Sequence, residues 1–183
     1  MISRIWDDFM KSESMKAHKK GAPESVNGAV ITLSDSKYGD FLLHKDSDVS
    51  GSLIKDALNE KNNVVFYSVI PDDEGLLVST INHIIDNYDV DIIITTGGTG
   101  IGPRDITVET LKGIFNKELN GFGEIFRYES YKELGTGAIL SRATAGVYKN
   151  KLIIALPGSP NAVNLGLKIV INELGHLVNH LRE

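Results

Sequence analysis

Four short runs of apolar and β-branched residues, spaced along the chain, constrain its fold more than any other feature. They cover residues 29–33, 64–70, 90–96 and 151–156. Runs that are apolar at nearly every position are typical of strands buried on both faces, as in parallel sheets. Helical patterns lie between the runs, which indicates βαβ units. The sequence therefore predicts an α/β fold, a three-layer sandwich with a mostly parallel central sheet.

The helical patterns have apolar residues on one face only. They predict helices over residues 50–58, 76–85, 108–115 and 162–177, the last of which is long enough to close the domain. Residues 1–26 are polar and of mixed charge, and we interpret them as a partly disordered arm that contains one short helix with Ile2, Ile5, Trp6 and Phe9 on its apolar face. Residues 27–183 are then a single α/β domain.

Composition and charge exclude several classes of function. The chain has no cysteine, so a disulfide scaffold, a thiolate zinc site and a cysteine nucleophile are all excluded. The formal net charge of −5 argues against a nucleic-acid partner, which would need a basic surface. No apolar stretch is long enough to span a membrane, and the N-terminus has no apolar signal. We expect a cytoplasmic protein with no membrane partner.

Small and polar residues follow each of the four predicted strands. These segments are Ser34-Asp35-Ser36, Pro71-Asp72-Asp73, the stretch from Gly97 to Asp105, and the stretch from Pro157 to Asn161. In an open parallel sheet, ligands bind beyond the carboxyl ends of the strands, where these connections converge. The sequence therefore predicts one ligand-binding edge formed by the four connections.

The third connection contains four glycines in six positions, Gly97, Gly98, Gly100 and Gly102. Glycine allows positive φ and close approach of the backbone to a ligand, and exposed amides beside a helix start near Thr107 would bind an anion. The segment lacks both the Walker lysine and the G-x-G-x-x-G spacing. It is interpreted as a phosphate loop of neither type, and the alternative is a glycine-rich turn without a ligand.

Two carboxylates, Asp72 and Asp105, are expected at the exits of adjacent strands, with Asp73 nearby. Carboxylates beside a bound phosphate need a cation between them, and Mg²⁺ binds one or two carboxylates together with phosphate oxygens. Asp72 or Asp73 could instead simply cap the following helix. The Pro157–Asn161 stretch could likewise be only a tight strand-to-helix corner, and Ser141-Arg142, which could hold a phosphate or carboxylate, is a weak signal alone.

Two other patterns are not assigned to chemistry. His176 and His180 lie one helical turn apart, but the sequence shows no third ligand, so a solvated helix end is favoured over a metal site. The segment from Gly121 to Arg127 mixes aromatic residues with glycine, and we interpret it as a packing element rather than a base-stacking surface.

Seven segments in order resemble the molybdenum-cofactor biosynthesis family that includes bacterial MogA and MoaB and the G domains of gephyrin and of its plant counterpart. The main one is Thr95-Thr-Gly-Gly-Thr-Gly-Ile-Gly-Pro-Arg-Asp-Ile-Thr107. The others are Ser34-Asp35, Asp48-Val-Ser-Gly51, Pro71-Asp-Asp73, Gly121-Phe-Gly-Glu124, Ser141-Arg-Ala143 and Leu156-Pro-Gly-Ser-Pro160. The similarity covers roughly residues 28–178. One departure is Val108, where the family usually has proline.

The resemblance implies an enzyme that binds molybdopterin and ATP and, with Mg²⁺, transfers AMP to the molybdopterin phosphate with release of pyrophosphate. It assigns catalysis to Asp72, Arg104 and Asp105, with Asp72 and Asp105 also holding the metal. It assigns substrate binding to Ser34, Asp35, Gly97, Gly98, Thr99, Gly100, Thr107, Ser141, Arg142, Pro157, Gly158 and Ser159. It further implies a homotrimer or a hexamer of paired trimers.

Two alternative functions are compatible with the same resemblance. The first is a non-catalytic protein that only binds or scaffolds molybdopterin, against which the presence of Asp72 and the Arg104-Asp105 pair argues. The second is insertion of molybdate, a step performed by a larger multidomain relative, and a chain of 183 residues has no room for those extra domains.

Overall fold

A six-stranded sheet of order β2-β1-β3-β6-β5-β4 lies at the centre of the structure, a computed structural model that describes residues 21–182. Its strands are β1 (Asn27–Leu33), β2 (Asn63–Ile70), β3 (Ile92–Thr96), β4 (Lys117–Glu118), β5 (Thr144–Tyr148) and β6 (Lys151–Leu156). The first four along this order are parallel, whereas β5 and β4 pair antiparallel. The predicted helix near Trp6 lies outside the described residues.

Seven α-helices are described within residues 21–182. They are α1 (Asp35–Leu42), α2 (Val49–Asn59), α3 (Glu74–Asn87), α4 (Thr107–Ile114), α5 (Asn120–Leu134), α6 (Pro160–Val170) and α7 (Leu174–Arg182). A 3₁₀ helix (Gly135–Leu140) follows α5. Helices α2, α5, α6 and α7 cover one face of the sheet, while α3 and α4 cover the other. The predicted three-layer sandwich with a mostly parallel sheet is confirmed.

The central strands are apolar at most positions because both of their faces are covered. In β1, Val30 packs under α2, whereas Ala29 and Ile31 pack under α3. All three side chains are completely buried. Burial of this kind stabilises the fold by about 1.5–3 kcal/mol for each large side chain. This is why the four apolar runs correspond to the four parallel strands.

The chain reverses direction across the sheet between β1 and β3. From β1 it passes to α2 on one face and then to β2, whereas from β3 it passes to α4 on the opposite face. Two neighbouring strands whose connections leave to opposite faces open a crevice at their carboxyl ends. Topology alone therefore places a crevice between Ser34 and Gly97.

Some elements differ from the prediction. Strands β2 and β3, which precede Asp72 and Asp105, are not adjacent as expected, because β1 lies between them. The single helix expected over residues 162–177 is two helices, α6 and α7, because a turn after Val170 redirects the chain and keeps Leu174 and Val178 in the core. Helices α1 and α5 and strands β4 and β5 were not predicted. Phe122 and Phe126 of α5 are buried, which confirms packing as the role of the aromatic segment.

The His176 and His180 rings lie edge-on with centroids 4.7 Å apart near the end of α7.

No helix within residues 21–182 combines the length and apolar character that crossing a membrane requires.

Candidate functional site

Three strand exits touch at the carboxyl edge of the sheet. The Gly97 N–H donates to the Leu156 carbonyl at 3.1 Å, which ties the glycine loop to β6. A Cβ on Gly97 would lie 2.2 Å from the Leu33 carbonyl oxygen, and a Cβ on Gly158 would lie 3.3 Å from the Gly97 Cα. The connections after β1, β3 and β6 are therefore packed against one another, and the predicted convergence at one edge is confirmed.

The glycine loop owes its shape to two positive φ angles and to one threonine. Gly97 and Gly98 have φ of +99° and +61°, a region that residues with a Cβ rarely adopt. The buried Thr107 then closes the loop, because its Oγ1 donates to the Gly97 carbonyl at 2.8 Å and its N–H to the Gly98 carbonyl at 2.9 Å. Thr107 also begins α4, as the sequence predicts.

Asp105 occupies the concave side of the same loop. Its Oδ2 accepts from the Gly102 N–H at 2.9 Å, and a Cβ on Gly100 would lie 2.5 Å from that oxygen. Gly100 and Gly102 are thus required by the nearby carboxylate rather than by their φ angles. Since the amides of Gly97 and Gly102 are engaged, the amides of residues 98–101 are the ones that the loop can offer to an anion.

The sequence left open whether Asp72 and Asp73 cap the following helix or face the ligand site, and the structure gives the two residues different positions. Asp73 caps α3, because its Oδ1 accepts from the Leu76 N–H at 2.7 Å. Asp72 points instead to the glycine loop, where a Cβ on Gly98 would lie 3.2 Å from its Oδ1. That oxygen is buried and has no hydrogen-bond partner within the described chain. Burial and the charge of Asp105 raise the pKa of Asp72.

The pair of carboxylates fits a hard divalent cation. A buried carboxylate oxygen without a partner is costly, and a second carboxylate that disfavours its ionised form adds to that cost. A bound cation would remove both penalties. No group of three or more His, Cys, Asp or Glu residues in the described range could hold a metal ion. Mg²⁺ at Asp72 and Asp105 would therefore complete its shell with water and substrate phosphates, as it usually does.

An ion pair links α1 to the glycine loop. Asp35 pairs with Arg104, and its Oδ1 accepts from the Asp72 N–H at 3.2 Å. Ser34 caps the same helix by accepting from the Lys37 N–H. Asp35 thus joins the connections after β1, β2 and β3. Arg104 remains largely exposed at the surface of this junction.

A cleft of about 290 Å³ opens between the β1, β3 and β6 exits. Its lining includes the polar side chains of Ser34, Lys37, Ser50 and Thr96 and the glycines Gly97 and Gly158. The turn from Pro157 to Ser159 is held in place by hydrogen bonds from β3 and α2 and by a cap of its own. Thr96 Oγ1 donates to the Pro157 carbonyl at 3.0 Å, Ser50 Oγ donates to the Gly158 carbonyl at 2.8 Å, and Ser159 caps α6.

Ser141 and Arg142 lie apart from this cleft. Arg142 forms an ion pair with Glu109 in the first turn of α4 and lines a second cavity of about 290 Å³ together with Lys112 and Arg127. Ser141 ends the 3₁₀ helix, with its N–H donating to the Ala138 carbonyl. Because β5 runs antiparallel to β6, both residues still lie at the carboxyl edge of the sheet.

Sequence reasoning did not assign a role to Asp48, a buried carboxylate that lines the cleft. It accepts hydrogen bonds from Thr32 Oγ1 at 2.5 Å and Tyr67 OH at 2.8 Å, and from the Gly51 N–H at 3.0 Å. Burial is the largest cause of the raised pKa of the Tyr67 phenol, and the hydrogen bond to Asp48 and the charge of Asp48 raise it further. A threonine in an otherwise apolar strand and an aspartate three residues before a glycine are the only signals for this network.

Residues 29–176 match the family model described as "Probable molybdopterin binding domain". The chain belongs to this family. The matched range includes every candidate site residue, so the resemblance of the seven segments is confirmed.

This chain matches members of the family over nearly their whole length. A protein of Methanocaldococcus jannaschii named "Probable molybdopterin adenylyltransferase" is 50% identical over 161 residues, which are 87% of this chain and 96% of that protein. A Pyrococcus furiosus "Molybdopterin adenylyltransferase" is 40% identical over 92% of this chain and 99% of that protein. The tungsten cofactor synthesizing protein MoaB of Pyrococcus furiosus superposes with a TM-score of 0.79 at 40% identity, over 88% of this chain and all of that one.

Proposed function

We propose that this protein is a molybdopterin adenylyltransferase, which transfers AMP from ATP to the terminal phosphate of molybdopterin. The observation that carries the proposal is the buried, unpartnered oxygen of Asp72 beside Asp105 and the glycine loop. Two carboxylates next to free backbone amides suit a site where phosphates and a cation meet. The names of two relatives that are 40–50% identical support the same activity.

The reaction needs charge neutralisation and alignment more than a base. A phosphate oxygen of molybdopterin forms a bond to the α-phosphorus of ATP. The bond from that phosphorus to the bridging oxygen breaks, and pyrophosphate leaves with the electron pair. The nucleophile is already an oxyanion, so no proton has to be removed. Positioning and electrostatic stabilisation therefore supply most of the rate enhancement.

The residues of the site can divide this work. The amides of residues 98–101 would hold one phosphate, while Thr107 keeps the loop in its binding conformation. Arg104 would exchange its exposed ion pair with Asp35 for a phosphate oxygen, because a guanidinium binds phosphate in the same two-pronged manner as a carboxylate. Lys37, which lines the cleft together with Gly97, would provide a second cation.

Asp72 and Asp105 would hold Mg²⁺. When bound, this ion neutralises phosphate charge and orients the phosphates. The role of the two residues is to remain ionised beside one another, which the raised pKa of Asp72 makes pH-dependent. As the pH falls toward that pKa, Asp72 takes up a proton, and we expect both metal affinity and turnover to fall with it.

We also propose that the protein assembles as a homotrimer or a pair of trimers. Six large apolar or aromatic side chains on α5 and the 3₁₀ helix are exposed, namely Ile125, Tyr128, Tyr131, Leu134, Ile139 and Leu140. A cluster of this kind favours an interface between proteins. Light scattering after size-exclusion chromatography tests it: we expect trimers or hexamers for the native chain and smaller species for Ile139→Asp, while a native monomer contradicts the proposal.

The test of the activity is incubation with molybdopterin, ATP and Mg²⁺, followed by chromatography for adenylated molybdopterin and measurement of pyrophosphate. We expect the two products in equal amounts and neither in EDTA. Binding of molybdopterin without consumption of ATP would instead support the non-catalytic alternative. Undiminished transfer in EDTA would remove the metal from the mechanism.

A further inference from the structure

We propose that Asp35 is a positioning residue that holds Arg104 between turnovers and competes with pyrophosphate for it after transfer. The resemblance to the family implies substrate binding for Asp35. Its contacts in the structure are instead with two other residues of the site, an ion pair with Arg104 and a hydrogen bond from the Asp72 N–H at 3.2 Å. This inference rests on the proposed function, because it concerns the release of one product of that reaction.

The Asp35 carboxylate occupies Arg104 in the way that a phosphate would. A guanidinium binds carboxylates and phosphates through the same fork of N–H donors. The ion pair therefore places an anion at the group that the proposed function gives to a phosphate. A phosphate that binds to Arg104 has to displace Asp35, and Asp35 competes for the guanidinium for as long as that phosphate stays bound.

Asp35 keeps its place when Arg104 leaves it. It lies in the first turn of α1, which Ser34 caps, and its Oδ1 accepts from the Asp72 N–H. Neither of these contacts involves Arg104. The Asp35 carboxylate therefore remains beside the bound phosphate, and two like charges at short distance repel each other.

Arg104 can change its partner without a movement of the glycine loop. Its backbone lies in a turn closed by two hydrogen bonds. The Gly102 N–H donates to Asp105 Oδ2 at 2.9 Å, and the Asp105 N–H donates to the Gly102 carbonyl at 3.1 Å. The Arg104 side chain is 69% exposed, and that of Asp35 is 37% exposed. An exposed ion pair shifts an equilibrium only about two- to fivefold, so a phosphate can replace it and it can form again.

Pyrophosphate is the product on which this competition acts most strongly. It carries more negative charge than a phosphate that remains esterified, so the loop amides and Arg104 hold it more tightly. Release of a product limits the turnover of many enzymes. A fixed carboxylate that takes Arg104 back weakens the binding of pyrophosphate and shortens the time for which it occupies the site.

Isothermal titration of the full chain with inorganic pyrophosphate in excess Mg²⁺ tests the proposal without molybdopterin. Asp35→Asn should bind pyrophosphate at least about threefold more tightly than the native chain, because an uncharged amide competes poorly for a guanidinium. Loss of any carboxylate near the site also favours an anion, so Asp73→Asn is the matched control. Asp73 caps α3, and asparagine caps a helix equally well, so we expect a change of less than about 1.5-fold.

The variant Arg104→Gln separates competition from a general effect of charge. Without the guanidinium there is nothing for Asp35 to compete for, so Asp35→Asn in this background should change pyrophosphate binding by less than about 1.5-fold. In transfer assays, the inhibition constant of pyrophosphate should fall for Asp35→Asn by the same factor as its dissociation constant. A merely structural role for Asp35 would not produce that match.

Equal binding of pyrophosphate by the native chain and Asp35→Asn, including no binding by either, would overturn the proposal. The same tightening with and without Arg104 would overturn it as well. Failure of the proposed function gives a different result. A chain that shows the coupling between Asp35 and Arg104 but transfers no AMP retains the competition and loses the activity. A chain that transfers AMP without the coupling retains the activity and loses the competition.

Discussion

Replacing Gly98 with alanine tests whether the glycine loop is held as tightly as its contacts indicate. Gly98 has a φ of +61°, which costs a residue with a Cβ about 1–2 kcal/mol. The new Cβ would lie 2.5 Å from Thr107 Oγ1, too close unless the threonine moves. Moving it breaks the bond to the Gly97 carbonyl, at about 1–3 kcal/mol. Together these costs predict a loss of about 2–5 kcal/mol in the free energy of unfolding.

Urea denaturation measures this loss, and Gly113→Ala is the matched control. Gly113 is exposed in α4, and nothing lies within 4 Å of the position where its Cβ would be. There the same substitution should stabilise the protein by about 0.5–1 kcal/mol, because alanine favours the helix. The two substitutions therefore have opposite signs, although the added atoms are identical.

A double-mutant cycle with Thr107→Ala separates the steric cost from the conformational cost. Once the Thr107 hydroxyl is absent, the alanine at position 98 should cost only its φ penalty. The double variant should therefore lose about 1–3 kcal/mol less than the sum of the losses of the two single variants. Adenylyl transfer by Gly98→Ala should fall at least tenfold, because the loop amides move. A Gly98→Ala protein as stable as the native one, or strict additivity in the cycle, would refute the reasoning.

Three further predictions follow from the same site. Asp105→Asn should keep the fold, since an amide oxygen can still accept from the Gly102 N–H, yet lower transfer well over tenfold; near-normal turnover would remove Asp105 from the mechanism. Asp72→Asn should raise the melting temperature at pH 7 in EDTA, because the raised pKa of Asp72 means that its charge destabilises the folded state. The gain should shrink as the pH falls through that pKa toward the ordinary value of 3.8, and a gain independent of pH would contradict this. Asp35→Asn should change the free energy of unfolding by less than about 1 kcal/mol, because its partner Arg104 is largely exposed; a larger loss in chemical denaturation would show that the pair is structural.

The four parallel strands could be predicted because each is apolar on both faces. Strand β5 was missed because its apolar pattern is interrupted by Gly146, whose missing Cβ makes room for the ring of Phe115. That glycine reflects a contact with a residue about thirty positions away, and no local pattern reports it. Helix α1 was missed for a related reason: with none of its residues buried, it has no clear apolar stripe.

Within the site, the sequence identified the chemistry but not the partners. It indicated the glycine loop and the candidate carboxylates, because glycines, hydroxyls and carboxylates follow buried strands. It left open whether Asp72 or Asp73 caps α3, and the structure decides this through the bond from Leu76 to Asp73. The buried network at Asp48 depends on Thr32 and Tyr67 from two different strands, so it could not be found from spacing alone.

The sequence by itself determined the layers, the parallel strands and the edge at which a ligand binds, because periodicity and strand exits are local properties of the chain. Only the tertiary structure decided which side chains share a cavity. It places Asp35 next to Arg104, and it places Arg142 in a different cavity from the cleft at Gly97. Such pairings depend on strand order and on which face each connection crosses, and both are set by packing of the whole domain.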